Sequence, residues 1–256
     1  MAESTVALVK KAHQTLFTLH QFDVAEEFFS PQFIEHSPLV KQGLKGLKEL
    51  IERRAGQFSY SLERAFSDGE YVVLHGLFEG LSEQPLVGFD LYRVVQGRII
   101  EHWDMLVDQM PPNSSGHTQL DGVRHLNPEA RRSESLERVL PFFQTVLIDQ
   151  QYDKISLYTT GESFIQHSSD IGDGAAAMEA FLVQAKASGN ALNYHHLHRV
   201  VASGDFVFTH SEGDIGGRRA AFGELWRVEA GGVAELWDAI MPVPLDEEAL
   251  HPYGIF

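Results

Sequence analysis

The sequence predicts an α+β protein made of two tandem cone-shaped domains, each a curved antiparallel sheet packed on about three helices. Three observations carry this. The stretch Tyr71 to Asp104 has a twin at Phe206 to Asp238: an offset of 134 residues sets Trp103 on Trp237, Asp104 on Asp238, Glu101 on Glu235, Arg93 on Arg227, Tyr92 on Trp226 and Asp90 on Glu224. A one-residue gap then sets His75 on His210 and Arg64 on Arg199. Within each half, helical periodicity comes first and strand alternation second, the order of an α+β layer. Finally, Val72, Leu74 and Phe78 alternate with Tyr71, Val73 and Leu77. Strands apolar on both sides need cover on both, so the halves are expected to pack back to back as a pseudo-dimer.

In chain order, Ser4 is suited to cap a helix from about Thr5 to His20, with Val6, Val9, Leu16 and Leu19 near helical spacing. A short helix from Asp23 ends before Pro31, and Phe33 to His36 is extended. Gly43 opens a third helix through Leu44, Leu47, Leu50 and Ile51 to Gly56. Strands follow at Phe58–Phe66, Tyr71–Phe78, Leu86–Val95 and Ile99–Val107, separated by turn residues such as Asp68-Gly69 and Gln96-Gly97. The segment from Pro111 has no periodicity and reads as a linker, giving domains at 1–110 and 129–256 with 111–128 between. The pattern then repeats. A helix carries Leu136, Val139, Leu140, Phe143, Val146 and Leu147, a shorter one lies near Asp153 to Tyr158, and another runs from Ala175 to Ala187. Strands begin near Leu192, Phe206, Arg219 and Val233.

A net charge of −16, from 36 acidic and 20 basic residues, disfavours nucleic acid and anionic membranes as partners. The absence of cysteine removes disulfides, thiolate nucleophiles and Cys-ligated zinc, and fits a reducing compartment. The N-terminal residues lack the apolar core of a signal peptide, so a cytoplasmic location is expected. Asn113-Ser114-Ser115 matches a glycosylation acceptor and is read as chance in that context. The expected partner is a small molecule, bound by a monomeric pseudo-dimer or a homo-oligomer.

The segments FIEHSP and FIQHSS, then HRVVASGDFVFTHSEG and FGELWRVEAGGVAELWDAIMPVP, resemble the SnoaL-like polyketide cyclases of the nuclear transport factor two-like fold. The resemblance spans nearly the whole chain in two copies. It implies a pocket at the open end of each cone, with an Asp or His on the last strands transferring protons. Carried over, those groups are Asp238 and Asp104, the histidines after the second helix His167 and His36, and the mid-strand histidines His210 and His75. The superfamily holds cyclases, isomerases, dehydratases, epoxide hydrolases and proteins that only bind ligands, so the resemblance alone does not choose among them.

The halves differ. His198 stands where the first half has Glu63, and His102 where the second has Leu236; the second is the expected active half. A face carrying Asp238, His210 and His198, with His167 nearby, suits cofactor-free acid–base chemistry on a small apolar carbonyl compound: cyclisation, isomerisation or dehydration. Trp237, Trp226, Glu224 and Phe208, with Trp103, Tyr92 and Asp90 in the first half, are the candidate substrate-binding residues. Each has a plainer reading, the tryptophans as packing and the acids as ion pairs with Arg93 and Arg227. Two rival functions remain: a non-catalytic ligand-binding protein, and a zinc or iron enzyme using His167, His198, His210 and Asp238. No close-spaced metal motif accompanies them, and the expectation is no metal.

Overall fold

The computed structural model describes residues 4–53 and 58–256. They divide into two compact units, Met1–Gln109 with Val243–Phe256, and Met110–Pro242.

In the first unit, α1 (Thr5–His13) starts at Ser4, whose side chain accepts from the Ala7 amide, and widens into a π-helical turn at Gln14–Thr18. The short α2 (Phe22–Ala25) leads to β1 (Phe29–Glu35), and α3 (Gly43–Arg53) precedes β2 (Ser59–Asp68), β3 (Tyr71–Glu79), β4 (Leu86–Val95) and β5 (Arg98–Asp108). The expected extension of α3 to Gly56 lies outside the described residues. The sheet order is β1-β5-β4-β3-β2. β2 to β5 are antiparallel, but β1 lies parallel to β5, so the sheet is mixed rather than purely antiparallel. Gln96 and Gly97 both have positive φ, 50° and 74°, the geometry of a tight hairpin turn that matches strand twist.

The second unit repeats this order. α4 (Arg132–Phe142) runs into a π-helical turn at Phe143–Ile148, then come α5 (Ile155–Tyr158), β6 (Ile165–Gln166) and α6 (Ala175–Ala187). β7 (Leu192–Ser203), β8 (Phe206–Ile215), β9 (Arg218–Glu229) and β10 (Gly232–Pro242) complete a sheet ordered β6-β10-β9-β8-β7, again with its first strand parallel to its last.

Each cone is lined where helices meet sheet. In the first unit Val9, Leu16, Leu47 and Ile51 pack with Val72, Leu74, Tyr92 and Ile99. In the second, Val139, Phe142, Val146 and Met178 pack with Val207, Phe222, Trp226 and Leu236. Burying each such side chain contributes about 1.5–3 kcal/mol. This packing also fixes which strand residues point under the helices, and on that the site depends.

The segment from Met110 to Gly122 packs on the second unit instead of hanging as a linker. The buried Asn113 donates through Nδ2 to the carbonyls of Gln166 (2.8 Å) and Ile171 (2.9 Å), and its Oδ1 accepts from the amides of Ser115 and His117. Conversely, the C-terminal stretch belongs with the first unit, where Leu250 N donates to Pro38 O and the His251 ring meets Ser37 O at 2.8 Å. Gly122 closes the 110–122 segment at φ +88°, and a Cβ there would lie 2.0 Å from Glu235 Oε1. Glu235 is tied to His167, so it cannot yield without losing that bond. Gly122→Ala is expected to cost about 1–3 kcal/mol in a denaturant melt, from backbone strain and this clash.

Candidate functional site

Alternation puts Phe222, Glu224 and Trp226 of β9, and Leu236, Asp238 and Ile240 of β10, on the helix side of the second sheet. The register places Asp238 directly opposite Glu224, and Glu224 opposite Thr209. The buried Glu224 carboxyl accepts from Tyr194 OH at 2.6 Å and from Thr209 Oγ1 at 3.2 Å, while Trp226 Nε1 donates to Thr209 Oγ1 at 2.9 Å. Burial pushes Glu224 up to about 8, Tyr194 pulls it back and the charge of Asp238 adds to the rise. Asp238, partly accessible, is raised to about 6 by burial, with a hydrogen bond from Ser168 opposing and Asp170 assisting. Tyr194 is held well above its usual range by burial and by Glu224, so its phenol keeps its proton. Near pH 7 the pair is therefore one carboxylate, Asp238, beside one neutral acid, Glu224.

The first unit sets Asp104 opposite Asp90 at the same register. Here the interior is a buried relay. His102 Nδ1 lies 2.9 Å from Glu35 Oε2, His102 Nε2 lies 3.0 Å from Asp90 Oδ1, and His13 Nε2 is 3.6 Å from Asp90 Oδ2. The Ser37 amide donates to Glu35 at 2.9 Å, and the Tyr92 ring stacks on His102 at 4.4 Å. Burial works against a charged His102, but Glu35 and Asp90 outweigh it and hold its pKa well above the histidine range. Burial also works against a charged Asp90, yet its hydrogen bond to His102 and the nearby ring of His13 keep it below the usual carboxylate range. Asp104, partly accessible, rises to about 7 through burial first and repulsion by Glu35 second.

The candidate residues thus divide between two faces. Asp238, Glu224 and Trp226 meet under the helices of the second unit, and Asp104, Asp90 and Tyr92 under those of the first. The histidines do not join them, which corrects the expected Asp238–His210–His198–His167 cluster. His210 lies opposite Arg199, whose Nη1 is 3.3 Å from its Nδ1, and His198 Nε2 faces Glu212 at 3.1 Å. His167 stacks on Trp237 at 4.5 Å and contacts Glu235 at 2.8 Å. In the first unit His75 takes a hydrogen bond from Arg64 at 3.0 Å and stacks on Phe89, while His36 stacks on Trp103. Phe208, Trp103 and Trp237 share these opposite faces. The same separation removes the metal set of His167, His198, His210 and Asp238.

Sequence reasoning missed Tyr194, Thr209 and Ser168 in one cone, and Glu35 and His13 in the other. His102 was visible only as an inequality between the halves. A cavity of about 630 Å³ in the first unit is lined by Lys10, Lys11, His13, Tyr60 and Leu62 and so touches the relay at His13. One of about 520 Å³ in the second lies along Arg131, Glu134, Arg138 and Glu229, away from the carboxyl pair. Among the described residues no helix is long and apolar enough to cross a membrane.

Residues 10–102 match the family model of the SnoaL-like domain. No curated protein matches the chain. Among solved structures, an NTF2-like protein of unknown function from Cytophaga hutchinsonii is 19% identical over 42% of this chain and 93% of its own, with a TM-score of 0.37. TsrD from Streptomyces laurentii is 17% identical over 41% and 90%, with a TM-score of 0.36. An LEH-like epoxide hydrolase of M. tuberculosis is 18% identical over 40% and 82%, with a TM-score of 0.34.

Proposed function

Starting from a chain whose residues 10–102 form a SnoaL-like domain and whose second sheet repeats the strand order of the first, we propose an acid–base enzyme acting on small apolar carbonyl compounds at the Asp238–Glu224 pair. The observation that supports it is the pairing itself: two carboxyls opposite one another across β9 and β10, with their pKa values pushed apart to about 6 and about 8. Groups so separated can serve as base and acid at the same pH.

Asp238 is the accessible member and takes the proton from carbon α to a carbonyl. The C–H electrons move into the carbonyl, forming an enolate whose oxygen is stabilised by a neutral acid in an apolar cone. Glu224 is that acid, fixed by Tyr194, with Thr209 and Trp226 behind it. Protonated Asp238 then returns its proton to a different carbon, which shifts a double bond, or the enolate attacks a second carbonyl, which closes a ring. The first unit supplies no matching pair, because both ring nitrogens of His102 are committed to buried carboxylates and the relay is closed on itself.

The test is exchange in D₂O, followed by NMR, at the α carbon of a β,γ-unsaturated cyclic ketone. Wild type and Asp104→Asn are expected to catalyse exchange and Asp238→Asn to be inactive. Exchange that survives Asp238→Asn would remove this assignment, and ligand binding with no exchange in any variant would favour a binding protein.

A further inference from the structure

We propose that the second unit carries a binding site for a divalent first-row transition ion of the zinc type, formed by His117, Asp121 and His167, on the opposite side of the sheet from Asp238. One donor atom from each of these residues lies within 4.8 Å of the others. His117 Nδ1 is 3.2 Å from Asp121 Oδ2, and His167 Nδ1 is 2.8 Å from Asp121 Oδ1. Ligands at zinc–nitrogen and zinc–oxygen distances of about 2.0–2.2 Å in a tetrahedral shell sit roughly 3.3–3.5 Å apart. The three donors need only small side-chain rotations to reach that spacing.

The second ring nitrogens add to this. His117 Nε2 faces Asp173 Oδ2 at 3.2 Å, and His167 Nε2 faces Glu235 Oε1 at 2.8 Å. With Nε2 turned to these carboxylates, the Nδ1 atom of His117 and of His167 is turned to Asp121, so one cation there would meet both ring nitrogens and the carboxylate. One divalent ion satisfies all three donors at once, and each histidine already has the carboxylate partner that orients metal-bound imidazoles. His167 Nδ1 also lies 2.8 Å from Thr118 O, a further oxygen that can ligate the ion or take a proton in its place.

The loop holds these donors in advance. Asn113 accepts from the His117 amide, Thr118 N donates to Asp121 Oδ1 at 3.0 Å, and Trp237 Nε1 donates to Asp121 O at 3.0 Å. The side chains of His117 and Asp121 are 31% and 43% exposed, so the remaining coordination position opens to solvent. Two imidazoles and one carboxylate suit zinc or iron(II) better than magnesium or calcium.

Chelator-treated full-length protein would be titrated with Zn²⁺ by calorimetry, with Mg²⁺ as control, and Zn²⁺-grown crystals measured by anomalous scattering. The expected result is a single tight equivalent and an anomalous peak among His117, Asp121 and His167. Asp173→Asn is expected to weaken binding by about 10–100-fold, and His117→Ala, on the exposed side, to abolish the tight equivalent with an unchanged thermal melt. Absence of tight binding overturns the proposal. So does binding that survives His117→Ala, since the ion would then sit elsewhere, for instance at His195 and His196.

Discussion

Replacing Asp238 by Asn is expected to lower α-proton exchange by about 10²–10⁴-fold, the usual contribution of a positioned general base. The fold is expected to survive. Asp238 has a folded pKa of about 6, above its ordinary value of 3.8, so its ionisation opposes folding: across that interval the unfolded chain releases a proton that the folded one retains, and stability falls as pH rises. The amide removes that liability, and its melting temperature should be at or slightly above wild type at pH 7. The wild-type rate should be bell-shaped in pH. Its acid limb lies near pH 6, below which Asp238 is protonated and cannot act as base. Its alkaline limb lies near pH 8, above which Glu224 loses the proton it lends to the enolate. The carboxyls interact, so the limbs belong to the pair. Glu224→Gln keeps a donor while removing the titration, and should retain part of the rate while flattening the alkaline limb. A bell that persists in Glu224→Gln would assign that limb to another group. Tyr194→Phe, which removes the donor at 2.6 Å, should raise Glu224 further and move the limb to higher pH.

The sheets were legible because their signals are local. Turn pairs such as Gln96-Gly97 require positive φ, and the period-2 pattern from Tyr71 to Val107 survives as β3 to β5. The matching places of Asp238 and Asp104 were legible too, and each lies opposite an acid on the neighbouring strand, Glu224 and Asp90. The histidines failed for a non-local reason. Alternation places His210 with Phe206 and Phe208, as the sequence says, but which face meets the helices depends on register across the sheet. The register aligns Thr209, not His210, with Glu224, and a slip of one residue exchanges the faces. β7 adds register shifts between Tyr194 and His196 and again between Leu197 and Arg199. Each reverses the alternation, so Tyr194, Leu197 and Val200 all reach the core cluster while His198 turns to Glu212. The Met110 to Gly122 segment hid for another reason. It is ordered by side-chain contacts such as those of Asn113, Asp121 and Trp237, and has no periodicity to read.

The largest stability effect is expected in the first unit, at His102. Its imidazolium is held between Glu35 and Asp90, all three buried. His102→Leu leaves two carboxylates with no cation between them, and breaking a buried ion pair by removing one partner costs about 3–5 kcal/mol. The second unit shows how such a change is compensated. There Gln166 stands for Glu35, Leu236 for His102 and Phe143 for His13, while the acid in the place of Asp90 is Glu224, pushed up to about 8. Gln166 accepts from the Ser168 amide as Glu35 does from Ser37, and Leu236 joins the apolar core. Adding Glu35→Gln and Asp90→Asn to His102→Leu should therefore recover most of the loss, a non-additivity that a mutant cycle in urea measures directly. Additive losses would mean that His102 contributes by packing on Tyr92 and not by charge. The pH dependence separates the same alternatives. Because the folded pKa of His102 is raised, its stabilisation is complete below about pH 6.5, its ordinary value, and declines as pH rises through the folded value. Asp90, held low, stabilises above its ordinary 3.8 and loses this as pH falls. Unfolding of wild type should show both declines, and the triple variant should show neither.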